Sequence, residues 1–279
     1  MEATATAPMQ LSFDTPAEEL VDLASYDYIL VNSSAGKDSQ AMLDYLAERA
    51  AAAGVAERVI VVHCDLGRVE WAGTKELAAE QAAHYGFRFE VVRRELGDLL
   101  DQIEARGMFP SSTARYCTSD QKTSQVTKLI TALVAESGIT GRQVRVLNCL
   151  GIRAQESAAR AKKAAFGTDR ASNGKRHIDR WLPIHNWTED EVWARIRQSG
   201  VAYHPAYDAG MPRLSCCFCV LASKPALVRA AKLNPGLAAE YAAVEARIGH
   251  TFKADLSMAD IIAAAERDPG HGPVGGWEG

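Results

Sequence analysis

The sequence of 279 residues has no long apolar run. A membrane-spanning helix needs roughly 20 such residues, so a helical membrane protein is excluded. The start, Met1-Glu2-Ala3-Thr4, is not a basic stretch leading into an apolar one, and no signal peptide is read there. Positive charge is not in excess either: 31 Lys and Arg stand against 35 Asp and Glu, a net charge of −4. No global field therefore announces a nucleic-acid partner. Cysteine is scarce, at six residues, and in the cytoplasmic setting expected here structural disulfides are disfavoured. There is no internal repeat and no low-complexity run beyond a general richness in alanine. The remaining composition, 47% hydrophobic and 24% charged, is that of a soluble globular chain with one domain and an appendage, or two small domains.

Strand and helix signals alternate. The first twenty residues read as an arm and a short helix with Pro16 near its start. Tyr28-Ile29-Leu30-Val31 is a β-rich run that stops at Asn32-Ser33-Ser34-Ala35-Gly36. A helix follows from Asp38 to Ala53, on the spacing of Met42, Leu43 and Leu46. Further strands are expected at 59–62, 87–92, 144–147 and 181–184, with helices at 75–85, 119–136 and 189–198. Such alternation predicts an α/β fold: a doubly wound, mostly parallel, five-stranded sheet. After Cys219 only helices are read, at 224–232, 237–248 and 258–267, then a Gly-rich, mobile tail from His271 to Gly279. The expected division is an α/β domain over 1–220 and a helical section with tail over 221–279. Between Arg153 and Arg180 eight basic residues face three acidic ones, and Phe166-Gly167-Thr168 and 171–174 read as loop. A basic loop is either an anion contact or a solvated surface.

The segment Ser34-Ala35-Gly36-Lys37-Asp38-Ser39 is built to hold phosphates. Small residues let backbone N–H groups close on an anion, and a helix N-terminus adds partial positive charge. Lys37 offers a cation, and Asp38 suits a magnesium ion beside pyrophosphate where a Walker A loop would place Ser or Thr. The loop resembles that of the adenine nucleotide alpha-hydrolases of the PP-loop class, ATP pyrophosphatases that split ATP between its α and β phosphates. Two further stretches are similar to the phosphoadenosine phosphosulfate reductase-like branch of that group. One is Asp65-Leu66-Gly67, which the resemblance places by the adenosine. The other is Gly151-Ile152-Arg153-Ala154-Gln155-Glu156-Ser157 with Arg160, whose arginines would meet phosphate or substrate oxyanions. Glu156 would orient Arg153. The stretch from Leu182 to Trp193 also matches, as scaffold, with Thr188 and Glu191 as a capping box.

Cys216-Cys217-Phe218-Cys219 and the upstream Cys117 carry the remaining chemistry. The resemblance, together with thiolate chemistry, implies a [4Fe–4S] cluster on Cys117, Cys216, Cys217 and Cys219. A persulfide relay on a low-pKa thiol near Arg115 or Arg213, and structural zinc, stay open beside it. Cys64 and Cys149 read as small buried residues, and His185 and His204 as packed ones.

Within the group the chain most resembles the ATP pyrophosphatases of DNA phosphorothioation systems. That implies ATP and magnesium as cofactors, Lys37, Asp38, Arg153, Cys117 and Cys219 as catalytic residues, and adenylation of an oxygen before sulfur insertion. It also implies a cysteine desulfurase as sulfur donor and DNA as acceptor, directly or through partner proteins, with a homodimer as candidate assembly. The alternatives are a sulfate adenylyltransferase small subunit, a phosphosulfate reductase, a tRNA-thiolating enzyme and a non-catalytic recruitment subunit. The reductase would normally lack the Lys37-Asp38 pair and carry a cysteine in its tail.

Overall fold

The computed structural model describes residues 21–270 and 272–274. The expected N-terminal arm and helix lie outside the described residues, as do His271 and 275–279 of the expected tail. Six strands form one sheet: β1 (Tyr28–Ser33), β2 (Val59–Asp65), β3 (Arg88–Arg93), β4 (Val144–Leu150), β5 (Phe166–Thr168) and β6 (Arg176–Trp181). Their order is β3-β2-β1-β4-β6-β5, and every pairing is parallel except β5 against β6. The chain moves outward from β1 to β3 and then returns to lay β4 on the other side of β1. Sheets of this kind bind ligands at that reversal, beyond the carboxyl ends of the strands.

The connections are helical: α1 (Lys37–Ala52), α2 (Thr74–His84), α3 (Leu99–Arg106), α4 (Tyr116–Thr118), α5 (Ser124–Glu136), α6 (Ala158–Ala161) and α7 (Glu189–Ser199). Both faces of the sheet are covered, which is why its inner strands carry apolar runs ahead of their polar carboxyl ends. In β1, Ile29 and Val31 pack with Met42 and Leu46 of α1 and Val192 and Ile196 of α7. Leu30 points the other way, onto Val126, Ile130 and Leu133 of α5. α8 (Lys224–Leu233), α9 (Pro235–Ile248) and α10 (Met258–Ala265) follow. They share a third cluster with α3: Leu227, Tyr241 and Ile261 meet Leu100, Ile103 and Phe109. Among the described residues, no helix is long and apolar enough to cross a membrane.

The α/β architecture is as expected, but the sheet has six strands instead of five. The strand expected at 181–184 is β6, which ends at Trp181, and the stretch read as loop at 166–168 is its antiparallel edge partner β5. β6 was hard to see because its polar residues turn inward to specific partners. Arg176 donates from Nε to Ala171 O (3.0 Å) and from Nη1 to Thr131 Oγ1 (2.6 Å), and Asp179 accepts from Tyr26 Oη at 2.9 Å. α3 gave too short a periodic signal to be read. It is set by Asp98, which accepts from Leu100 N and Asp101 N in a capping box. The helix expected to start at Ser119 begins instead with a π-helical turn, Ser119–Thr123, ahead of α5. In the tail, Gly272 and Val274 are held in place, by Arg229 Nη1 and by Gly210 O respectively.

Candidate active site

β1 leaves the sheet through a curl that only small side chains permit. Ala35, fully buried, has φ of 52°, the one positive value at a non-glycine position among the described residues. A left-handed alanine costs on the order of 1–2 kcal/mol and marks a conformation that its surroundings enforce. Three hydrogen bonds do so: Ser34 N–H to Ser39 Oγ (3.2 Å), Ala35 N–H to Ser33 Oγ (3.2 Å) and Ser39 Oγ–H to Gly36 O (2.9 Å). The end of β4 closes on the same place. A Cβ on Gly151 would lie 3.0 Å from the carbonyl carbon and oxygen of Asp38, so glycine is what lets the two elements meet. The first N–H groups of α1 have no intrahelical acceptor; that of Lys37 is taken by Tyr207 Oη, and those that follow suit an anion at this point.

A cavity of about 930 Å³ opens there, with Ser34, Gly36, Asp38 and Ser39 at one end. Val62, Val126, Ile130 and Ile178 give it an apolar patch, and Asn148, Gly151 and Ile152 line it from the end of β4. Its walls carry seven basic residues, Arg115, Lys122, Arg160, Lys163, Arg170, Arg180 and Arg213, against three acids, Asp38, Glu70 and Asp169. Positive charge lining a water-poor concavity concentrates anions.

The predicted residues divide. Ser34, Gly36, Asp38, Ser39, Gly151 and Arg160 line the cavity, and the buried Ala35 shapes its loop. Lys37, expected to reach phosphate, is 3% exposed and is not among the lining residues. Its Nζ donates to Pro212 O at 2.9 Å and lies 3.5 Å from Glu189, while its N–H donates to Tyr207 Oη at 2.8 Å. Arg153 is likewise behind the wall, 2% exposed, with Nε on Asp38 Oδ1 at 2.5 Å and Nη1 on Gln155 Oε1 at 2.8 Å. In this arrangement its guanidinium holds the Asp38 carboxylate. Glu156, expected to orient the Arg153 side chain, accepts the Arg153 N–H at 3.0 Å and holds two other guanidiniums. Arg160 sits on its Oε2 and Arg213 on its Oε1, the latter at 2.7 Å. Burial and the Arg160 cation pull the Arg213 guanidinium below its usual pKa. Asp65 is a turn residue: Oδ1 accepts from Gly67 N–H at 2.8 Å, and the side chain lines a neighbouring groove.

The cysteines converge only in part. Burial pushes the Cys216 and Cys219 thiols up; Cys117 raises both further, and Cys219 also raises Cys216. Burial alone would depress the Lys122 ammonium, but Cys216, Cys64, Glu70 and Cys117 around it hold its pKa above the ordinary value. Cys217 is 2% exposed, packs in the apolar cluster with Phe218, and is pushed up to about 12 by burial. Among the described residues, no three His, Cys, Asp or Glu side chains are grouped so as to hold a metal ion. The thiols as arranged therefore fit neither a [4Fe–4S] cluster nor zinc, since Cys217 belongs to the core. The low-pKa thiol expected near Arg115 or Arg213 is not seen at Cys219, where burial outweighs the pull of Lys122 and Arg213. For magnesium the donor chemistry does fit, because that ion needs one or two carboxylates beside substrate phosphates, and Asp38 faces the cavity.

Several lining residues were not anticipated. Lys122 sits in the π-helical turn and Tyr207 in a strandless stretch, so no periodicity flagged either. Cys64, read as a small core residue, lines the cavity, with its thiol pushed up to about 11 by burial. His63 and Glu70 form a buried pair, Nε2 to Oε2 at 3.2 Å, with Nδ1 3.1 Å from Ser33 O. Cys149, His185 and His204 are packed as expected, both histidines on backbone carbonyls.

Comparison with known proteins adds relatives. The chain is 32% identical over 161 residues to an adenosine 5'-phosphosulfate reductase of Allochromatium vinosum, covering 57% of this chain and 57% of that protein. It is 32% identical over 152 residues to an uncharacterized 37.8 kDa protein of Escherichia phage 186, covering 54% of this chain and 42% of the other. The chain thus spans about half the length of the curated relatives it matches. A phosphoadenylyl-sulfate (PAPS) reductase structure from Candida auris aligns with a TM-score of 0.47 at 17% identity, over 69% of this chain and 83% of that one. The U34-tRNA thiolase NcsA from Methanococcus maripaludis, with its [4Fe-4S] cluster, aligns with a TM-score of 0.45 at 16% identity, over 88% and 74%. The model of the phosphoadenosine phosphosulfate reductase domain matches residues 28–222, more than two thirds of the sequence. By that match the chain belongs to the phosphoadenosine phosphosulfate reductase domain family.

Proposed function

We propose that the protein binds ATP with its phosphates on the loop from Ser34 to Ser39, splits it into AMP and pyrophosphate, and so activates an acceptor oxygen for replacement by sulfur. The observation that carries this reading is the cationic cavity at the ends of β1 and β4, with Asp38 held at its floor by Arg153. The acceptor oxygen bonds to the α-phosphorus, the bond from that phosphorus to the α,β-bridging oxygen breaks, and pyrophosphate leaves. Arg160 and Arg213, fixed by Glu156, neutralise charge on the phosphoryl oxygens. Asp38 is the carboxylate that would hold a magnesium ion, which when bound would supply charge neutralisation to the pyrophosphate. The outer sulfur of a persulfide on one of Cys117 and Cys219, loaded by a cysteine desulfurase, then attacks the activated acceptor phosphorus and expels AMP. The other thiol attacks the carrier cysteine's sulfur, so that the S–S bond breaks, sulfur stays on the acceptor, and the resulting Cys117–Cys219 disulfide is returned to thiols by an external thiol reductant. The acceptor is a backbone phosphate of DNA in the cytoplasm.

The test is product analysis with α-labelled ATP and magnesium. AMP and pyrophosphate in equal amounts are expected, and ADP with orthophosphate as sole products would remove the assignment. The relatives named as adenosine 5'-phosphosulfate reductases favour a second reading, reduction of a nucleotide-bound sulfate. Release of sulfite from adenosine 5'-phosphosulfate in the presence of a thiol reductant, without ATP cleavage, would select it.

A further inference from the structure

The cavity carries more positive charge than a magnesium-bound triphosphate can neutralise. Each of its three acids is already engaged: Asp38 by Arg153, Glu70 by His63, and Asp169 by the Ala171 N–H at 2.9 Å. At the loop end Arg160 and Arg213 share the single carboxylate of Glu156. At the far end, Lys163, Arg170 and Arg180 line the wall, and none of the three forms an ion pair among the described residues. The Nε of Arg180 is buried and has no hydrogen-bond partner. A guanidinium N–H taken out of water without an acceptor costs free energy that nothing in the folded chain returns. Its acceptor is thus expected to come from outside the chain.

We propose that Arg170 and Arg180, with Lys163 beside them, form a second oxyanion subsite that seats the acceptor as a tetrahedral phosphate or sulfate group. Guanidinium forks match such oxygens in pairs, which an ammonium does not. The strand order supplies the geometry. Arg180 lies at the carboxyl end of β6, in register with Asn148 of β4, and Asn148 in turn is tied to Asn32 of β1 at 2.6 Å. Arg180 is therefore two strand spacings, about 10 Å, from the loop that follows β1. The hairpin holds the site open through its own contacts: Asp169 N–H donates to Ile178 O at 2.7 Å, and Ser172 Oγ bridges Ile178. This placement rests on the ATP reading only for its account of the loop end.

The experiment titrates the whole protein with two probes, sodium sulfate and a short DNA duplex, with and without α,β-methylene-ATP. It uses wild type, Arg170→Gln/Arg180→Gln and Arg170→Lys/Arg180→Lys. The Gln pair should weaken binding of the seated probe by about tenfold or more, and the Lys pair by less. Affinity for the ATP analogue should fall by less than affinity for the probe, since Arg180 stands about 10 Å from the loop. Binding of sulfate identifies a free oxyanion as the acceptor. Binding of the duplex, with its salt dependence reduced by about two counterions in the Gln pair, identifies a phosphodiester. The subsite is overturned if neither probe binds, if the Gln pair binds as wild type does, or if analogue and probe weaken in parallel. Wild type that binds a probe but not the analogue would sink the ATP reading and leave the subsite standing. Arg180 gives up no hydrogen bond on substitution, and circular dichroism would show that the variants are folded.

Discussion

At the scale of single residues, the site depends on groups that are aimed by others. Asp38 faces the cavity because Arg153, itself buried, fixes one of its oxygens at 2.5 Å. Asp38→Asn is expected to lower the rate of pyrophosphate release by about a hundredfold through lost metal binding, with a smaller loss of thermal stability than Arg153→Ala, because the amide oxygen still accepts from Arg153 Nε. Arg153→Ala should lower both, since an unpaired acid is left behind; equal stability of the two variants would contradict the positioning role. The cysteines give a pH signature. Burial raises Cys64 from 9.0 to about 11 and Cys217 to about 12. Both stabilise the neutral, folded form below pH 9, and that contribution is lost as pH rises through 11 to 12, because the unfolded thiols ionise first. Native-state alkylation read by mass spectrometry should be slow at neutral pH and accelerate in alkali. Rapid labelling of Cys216 or Cys219 at pH 7 would mean that they are thiolates already, against the direction that burial imposes.

At the scale of elements, the inner sheet was legible and its edge was not. β1 and β2 hold runs of Ile, Leu and Val buried on both faces, β4 has Val144, Val146 and Leu147, and the turn at 34–36 announces itself by small residues before a helix. The hairpin β5–β6 offers no such run. Its Arg176, Asp179 and Arg180 read as surface charge, whereas Arg176 is bonded inward and Arg180 lines the cavity. The basic segment therefore splits by task, and no count of charges along the chain could show that split. Lys37 has contacts that no motif could show: its side chain bridges to Pro212 and Glu189, residues far away in sequence. Gly151 was read as part of a motif, and its physical role is contact between the end of β4 and the backbone of Asp38. Gly151→Ala should push these elements apart, costing about 1–3 kcal/mol and most of the pyrophosphatase activity. A fully active, equally stable alanine variant would show that the approach at 3.0 Å is not required.

For the whole molecule, the C-terminal helices are braces for the site. Arg229, 2% exposed on α8, donates from Nε to Asp268 at 2.6 Å and from Nη1 to Ala209 O and Gly272 O, each at 2.9 Å. It thereby ties the end of the chain to the segment 209–213, which supplies Pro212 O to Lys37 and Arg213 to Glu156. Arg229→Ala leaves Asp268 and two carbonyls without their donor, an expected loss of about 3–5 kcal/mol. Release of the 209–213 segment should also lower pyrophosphate formation in the fraction that remains folded. The pH dependence separates the ion pair from packing. The hydrogen bond from Arg229 holds the Asp268 carboxyl below its usual pKa. Its stabilisation is therefore present above the ordinary carboxylate range and fades as pH falls through the depressed value. Urea unfolding of wild type and Arg229→Ala should differ most at neutral pH and converge in acid. A gap that stays constant from pH 7 down to about pH 2 would assign the loss to packing of the arginine stem. In that case Asp268→Asn would be as stable as wild type, and the link between the C-terminal helices and the cavity would lie in their shared apolar cluster.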